Sequence, residues 1–146
     1  MAQATKEKTK TKSGSVVQVV GVVVDVEFAN SRLPAINDAL KVELNGKALF
    51  LEVAQHLSET TVRTVALAST DGLRRGDNVE DTGAPISVPI GDATVGRMFN
   101  VIGEPIDDKK ENNVFKQRAP IHREPPALEE QSGSIEVLET GIKVID

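Results

Sequence analysis

The stretch LKVELNGKALFLEV, residues 40–53, decides the fold. Leu40, Val42 and Leu44 alternate with Lys41, Glu43 and Asn45, the period of a half-buried strand. Asn45-Gly46 then supplies the positive φ angles of a type I′ turn, so the run reads as a β-hairpin. A two-residue turn sets Val42 opposite Leu49 and Leu40 opposite Leu51, which gathers the apolar residues of both strands on one face. Register and hydrophobic pattern demand the same pairing.

Working outward, SVVQVVGVVVDVEF (15–28) is dominated by Val, whose stiff χ1 favours strands over helices, and it reads as one long strand. Val20, Val22, Val24, Val26 and Phe28 keep one face apolar while Asp25 and Glu27 open the other to water. Gly21 would permit the bend or bulge that closing a small barrel requires. On the other side of the hairpin, TTVRTVALAS (60–69) is a further β-branched run, TDGLRRGD (70–77) is a loop, and Ile86, Val88 and Ile90 alternate in PISVPIG. Short, closely spaced strands with turn signals between them predict a mainly β fold: a small closed or nearly closed barrel over residues 15–82.

The period then changes. In GDATVGRMFNVIGEP (91–105) Val95, Met98, Phe99 and Ile102 fall at i, i+3, i+4 and i+7, which predicts a helix capped by Asp92 and stopped at Gly103 and Pro105. A second unit is expected to begin there, with residues 83–146 forming a linker and the start of another domain. Residues 106–133 are polar and Pro-containing and read as a long surface connection around short strands or turns, a kind of segment that lies against a partner domain or carries function. SIEVLETGIKVID (134–146) predicts a short strand at 135–138 and a helix beginning at Gly141 with Thr140 as N-cap. About one turn follows Gly141, so the expectation is a segment that continues into a larger unit, with residues 92–146 loosely ordered in its absence.

Composition narrows the function. The chain has 146 residues, no Cys, Trp or Tyr and four Phe, so its core must be aliphatic and thiolate chemistry is excluded. The net charge is −5, and four Lys with one Glu in residues 1–14 leave the remainder acidic. Residues 1–14 read as a solvated, disordered basic tail. An acidic, aromatic-poor body argues against nucleic acid as a partner. No apolar run reaches the ~20 residues of a membrane span, so no direct membrane insertion is expected.

Catalytic constellations are not found. His56 and His122 have no partner at metal-ligand spacing, and the pairs Asp107/Asp108 and Glu129/Glu130 read as solvated loop carboxylates. GDATVG and GEPIDD match neither the G-x-x-x-x-G-K-[ST] nor the G-x-G-x-x-G phosphate-binding pattern, and no Lys follows where a phosphate would need it. The reading therefore assigns no catalytic, cofactor-binding or metal-binding residue.

The segments GVVVDVEF, LEVAQHLSETTVRTVAL, TDGLRRGDNVEDTGAPISVPIG, VGRMFNVIGEPID, PIHR, EQS and LETGIKVID, in that order, closely resemble the N-terminal part of the catalytic beta subunits of F-type ATP synthases. The likeness covers about residues 15–146. EVAQHL, DTGAPI, NVIGEPID and PIHR resemble beta more than the non-catalytic alpha, vacuolar, flagellar or secretion relatives. Two departures stand out: IDDKKENNVFKQ lacks the usual Gly-Pro after GEPID, and REPPALEEQSG lacks the aromatic that commonly precedes EQS.

This resemblance implies a six-stranded N-terminal β-barrel followed by the incomplete start of an α/β, P-loop type nucleotide-binding domain. It implies that the parent subunit is a proton-transporting ATP synthase that binds ATP or ADP with Mg. This chain ends before the phosphate loop and is expected to bind none of these and to be inactive alone. It implies alpha subunits and the rest of the synthase complex as partners, through a ring of barrels, on the cytoplasmic face of a bacterial inner membrane. The alternative is a stand-alone β-barrel assembly or binding module.

Overall fold

Six β-rich segments in 13–85 become strands: β1 (Ser13–Val20), β2 (Val23–Glu27), β3 (Asp38–Leu44), β4 (Lys47–His56), β5 (Thr61–Ala66) and β6 (Asn78–Pro85). In the computed structural model, which describes residues 13–28, 32–44, 46–107, 115–131, 133–134 and 137–145, they close into a barrel in the order β1-β2-β5-β4-β3-β6. Every neighbouring pair is antiparallel, and β6 returns to β1 through Ser13 opposite Glu80 and Ser15 opposite Asn78. Closure leaves no unpaired edge for another strand to extend.

The hairpin forms in the register that its sequence demands, with Leu40 opposite Leu51 and Val42 opposite Leu49. Both members of the first pair are fully buried. Around them pack Val24, Val26, Phe28, Val53, Val62 and Val79, an aliphatic filling with one aromatic ring. Leu73, from the loop between β5 and β6, joins this cluster, and Leu33 packs against it from the loop between β2 and β3. Thr64, the one fully buried threonine among the described residues, turns its hydroxyl onto Val24 O at 2.7 Å, so its polar atom is satisfied inside the wall.

Besides the register shift of β3 against β6 between Asp38 and Leu40, two bulges of one residue shape the wall. One extra residue lies between Val16 and Gln18 against Val26 and Asp25, and another between Val53 and Gln55 against Thr64 and Arg63. Each shifts the inward phase by one residue and adds local twist, as a barrel this narrow requires. The second bulge brings His56 to the inward side, opposite Val62.

The expected single strand over 15–28 is two strands. Gly21 adopts φ 59° and the chain reverses at residues 21–22, so that Val20 pairs with Val23. Val20 and Val22 are 59% and 56% exposed and do not share the buried face of Val24 and Val26. A tight turn, added to the bulge, reproduced the parity of an unbroken strand.

The expected helix at 91–105 is absent. Asp92–Thr94 makes one 3-10 turn, capped through the backbone of Gly91 with no bond from the Asp92 side chain. Val95 then becomes extended and Gly96 takes φ 70°. The proposed stripe had no surface to repay it, since Val95 is 79% and Met98 60% exposed, and an isolated helix this short is marginal in water. Phe99 bridges back to Pro105 instead.

The barrel is followed by β7 (Ser87–Pro89), which pairs with β8 (Arg118–Pro120) in the polar connection. Leu128–Glu130 forms a second 3-10 turn. Of the strand expected at 135–138, residues 135 and 136 lie outside the described residues, and Val137 and Leu138 are not in a strand. No helix starts at Gly141, although Thr140 does accept the N–H of Ile142 on its hydroxyl at 3.1 Å, within a single turn. The tail expected at 1–14 lies outside the described residues up to residue 12, and β1 already begins at Ser13.

Candidate functional site

The titratable groups that could do chemistry are scattered, and both histidines and Asp107 already have structural partners. His56 Nε2 lies 2.8 Å from Pro34 O at one end of the barrel, while His122 Nε2 lies 3.1 Å from Glu52 Oε2 on the outer wall. Asp107 holds Arg97 through two hydrogen bonds, and both side chains are only 9% exposed. That bond pushes the Arg97 guanidinium above its usual range, with burial opposing and the Asp107 charge assisting. Asp108 lies outside the described residues, and Glu129 and Glu130 are exposed in a 3-10 turn. Among the described residues no three His, Asp or Glu side chains gather to hold a metal.

The glycine-containing turns are occupied by their own backbone. Thr94 N donates to Gly91 O and Val95 N to Asp92 O, so these two amides of GDATVG bond within the turn. Gly103 has φ 71° and sits so close to β7 that a Cβ would lie 2.6 Å from Pro89 Cδ. It is a packing glycine. Arg118 reinforces this corner by donating to Ser87 O at 2.6 Å and to Ile102 O at 3.1 Å.

What the structure assembles is a seam between the barrel wall and the segment after it. Ile86 is 5% exposed, and Phe50 and Ala39 on the outside of β4 and β3 face Ile102 across a cleft of about 390 Å³. A neighbouring cleft of about 620 Å³ lies between Lys47, Phe50 and Leu67 on the barrel and Phe99, Val101 and Glu104 on the turn. Behind the turn, Phe99 meets Phe115 edge to face at 5.1 Å and Arg97 lies 5.4 Å from the Phe115 ring centre. Sequence reasoning missed this seam, because Phe50 and Ala39 occupy the face of the hairpin that alternation assigns to water.

On the outer wall, Asp25 is buried beneath the fork of Arg63, with bonds of 2.9 and 3.0 Å. This hydrogen bond, with the Asp25 charge second, raises the Arg63 pKa above its usual range. The pair ties β2 to β5 from outside. Among the described residues every buried side-chain nitrogen or oxygen has a hydrogen-bond partner, so no buried polar group waits for a ligand.

The arrangement suits a rigid spacer with an attached seam. No helix among the described residues is long and apolar enough to cross a membrane. Residues 16–83 match the family model described as ATP synthase alpha/beta family, beta-barrel domain. That span opens at Val16, the first fully buried residue of β1, and closes within β6, so the match and the closed barrel coincide.

Proposed function

We propose, with the barrel at residues 16–83 taken as the ATP synthase alpha/beta family barrel that it matches, that this chain is the N-terminal part of a catalytic beta subunit of a proton-translocating F-type synthase. Its role is to hold. A closed barrel with an aliphatic core resists deformation, and its outer wall and rims are the surfaces through which it joins the barrels of neighbouring alpha subunits in a hexamer on the cytoplasmic face of a bacterial inner membrane. The observation that carries this reading is the coincidence of the matched span with six strands that bury their own core. The motifs EVAQHL, DTGAPI, NVIGEPID and PIHR favour beta over alpha.

ATP or ADP with Mg belongs to the intact subunit in this reading. The described residues do not fit that group: the amides of Thr94, Val95 and Arg97 bond within the turn, Arg97 is committed to Asp107, and no carboxylate cluster among the described residues could hold Mg. No catalytic step is assigned to any residue of this chain, and on its own it does not hydrolyse ATP.

The test is assembly with purified intact subunits, read by analytical ultracentrifugation with phosphate release measured in parallel. A beta-type chain enters complexes with alpha and not with beta, and alone releases no phosphate above the buffer. The reverse partner choice identifies an alpha-type chain. Assembly with neither favours the stand-alone module, a reading that the self-contained barrel core supports.

A further inference from the structure

Part of the segment after the barrel is a hairpin in its own right. Residues 97–107 fold back on themselves: Asn100 N donates to Glu104 O and Ile106 N to Met98 O, each at 2.9 Å, with Phe99 bridged to Pro105 between them. Asn100 locks the tip, its Oδ1 accepting the amides of Ile102 and Glu104 and its Nδ2 donating to Glu104 Oε2 at 3.0 Å. The fork of Arg97 on Asp107 closes the base. All of these bonds run within the hairpin, so it keeps its shape without help from the barrel wall.

Its attachment is one-sided. Buried Gly103 is seated against Pro89 of β7, and Arg118 of β8 donates to Ile102 O at 3.1 Å. On the other side the cleft of about 620 Å³ separates Phe99 and Val101 from Ala48, Phe50 and Leu67, and Val101 is left 61% exposed. Apolar walls that face each other across water gain free energy by meeting. The two walls also carry opposite charge, Lys47 on the barrel and Glu104 on the hairpin. The Lys47 ammonium makes no hydrogen bond or ion pair with a described residue, and among those residues the Glu104 carboxylate is bonded by the neutral Asn100 amide alone. The chain reaches the hairpin through Gly91 and Gly96, at φ 93° and 70°, where glycine turns without steric cost and a change of backbone angle is readily absorbed.

We propose that the 97–107 hairpin is a lid, open in this structure, that turns about Gly91, Gly96 and its seat on β7 to close on the barrel wall, with Lys47 and Glu104 as the catch. Burial of Val101 against Ala48, Phe50 and Leu67 supplies the main attraction. The catch is exposed and electrostatic, so its share is small and is lost in high salt. Closure couples the segment after the barrel to the wall, and opening lets that segment move while the barrel stays shut. This inference does not depend on the assembly role.

The test is fluorescence quenching of the full chain by acrylamide, a neutral quencher. The chain has no Trp or Tyr, so the single indole of Val101→Trp senses the cleft by itself, and Val95→Trp, at a position 79% exposed, is the open reference. If the lid closes, the quenching constant at position 101 is about twofold below that at 95, more than their exposures in the open structure account for. In the Val101→Trp background, Lys47→Glu and Glu104→Lys should each raise that constant by about 1.5-fold, the effect of losing an exposed pair, and so should 1 M NaCl. The double reversal, Lys47→Glu with Glu104→Lys, should restore it, and none of these changes should move the constant at position 95. The substituted positions are all exposed, so the barrel core is untouched. A constant at 101 no lower than its exposure predicts would mean that the lid stays open and would overturn the proposal. So would single reversals that leave the constant at 101 unchanged, or a double reversal that fails to restore it.

Discussion

The barrel and the segment that follows it are built from similar residues, yet they use them in opposite ways. Every buried hydrophobic residue among those described, except Ile86, lies between Val16 and Val79. Beyond Ile86 no large apolar side chain among the described residues is fully covered, and several stay in water: Val95 is 79%, Leu128 84% and Val144 95% exposed. The difference is closure. Six strands enclose a common interior, so each Val or Leu that faces inward is covered by the surrounding wall, whereas the β7–β8 sheet has two strands. Cohesion therefore resides in the barrel, and the segment after it is held mainly at the seam along Phe50, Ile86 and Ile102.

The comparison breaks most visibly through paired truncations. Leu51→Ala removes a fully buried side chain from the barrel core and should cost about 2 to 5 kcal/mol in urea denaturation. Leu128→Ala, at 84% exposure, should change the same midpoint by no more than about 0.5 kcal/mol. Equal effects would remove the distinction between the regions.

A smaller effect sharpens where the barrel is tight. A Cβ at Gly14 would stand 2.7 Å from Glu27 O and 2.9 Å from the Phe28 ring, so Gly14→Ala should cost about 1 to 3 kcal/mol through overpacking. Gly133→Ala meets no atom within 4 Å and should be nearly silent by the same measurement. Next comes Thr64→Val, which keeps the shape but deletes the hydroxyl bonded to Val24 O, at a cost of about 1 kcal/mol.

How the sequence disclosed these regions follows from the same contrast. The hairpin at 40–53 was readable to the residue because one buried face fixes its register, and a one-residue slip would expose Leu40, Val42, Leu49 and Leu51 together. The first two strands were readable as β but not as two strands. A bulge after Val16 and a turn at Gly21 preserve even-numbered parity, and period two alone cannot tell that from continuity. The stripe at 95–102 misled for a different reason: periodicity shows which face could be buried, and none of the described residues covers Val95 and Met98. The seam was invisible for the converse reason, since Phe50 is apolar on the wall's outward side and its partner, Ile102, lies some fifty positions away.

The smallest effect expected is that of pH on the outer clamp of Asp25 and Arg63. Its arginine is shifted upward, first by the hydrogen bond to Asp25 and then by the Asp25 charge. A raised pKa gives a contribution that is complete below the ordinary arginine range and lost only as pH climbs through the higher folded value. The difference in melting temperature between the protein and Arg63→Met should thus stay constant from about pH 7 to about pH 10, while other groups titrate.

Native-state hydrogen exchange on the intact chain tests the central claim most directly. If the barrel holds its own core, the amides of β2, β4 and β5 exchange only through global unfolding and track the urea stability, while those of β7, β8 and residues 91–107 exchange through openings of much lower free energy. Protection of equal height in both regions, or a barrel that opens before the segment after it, would contradict the account.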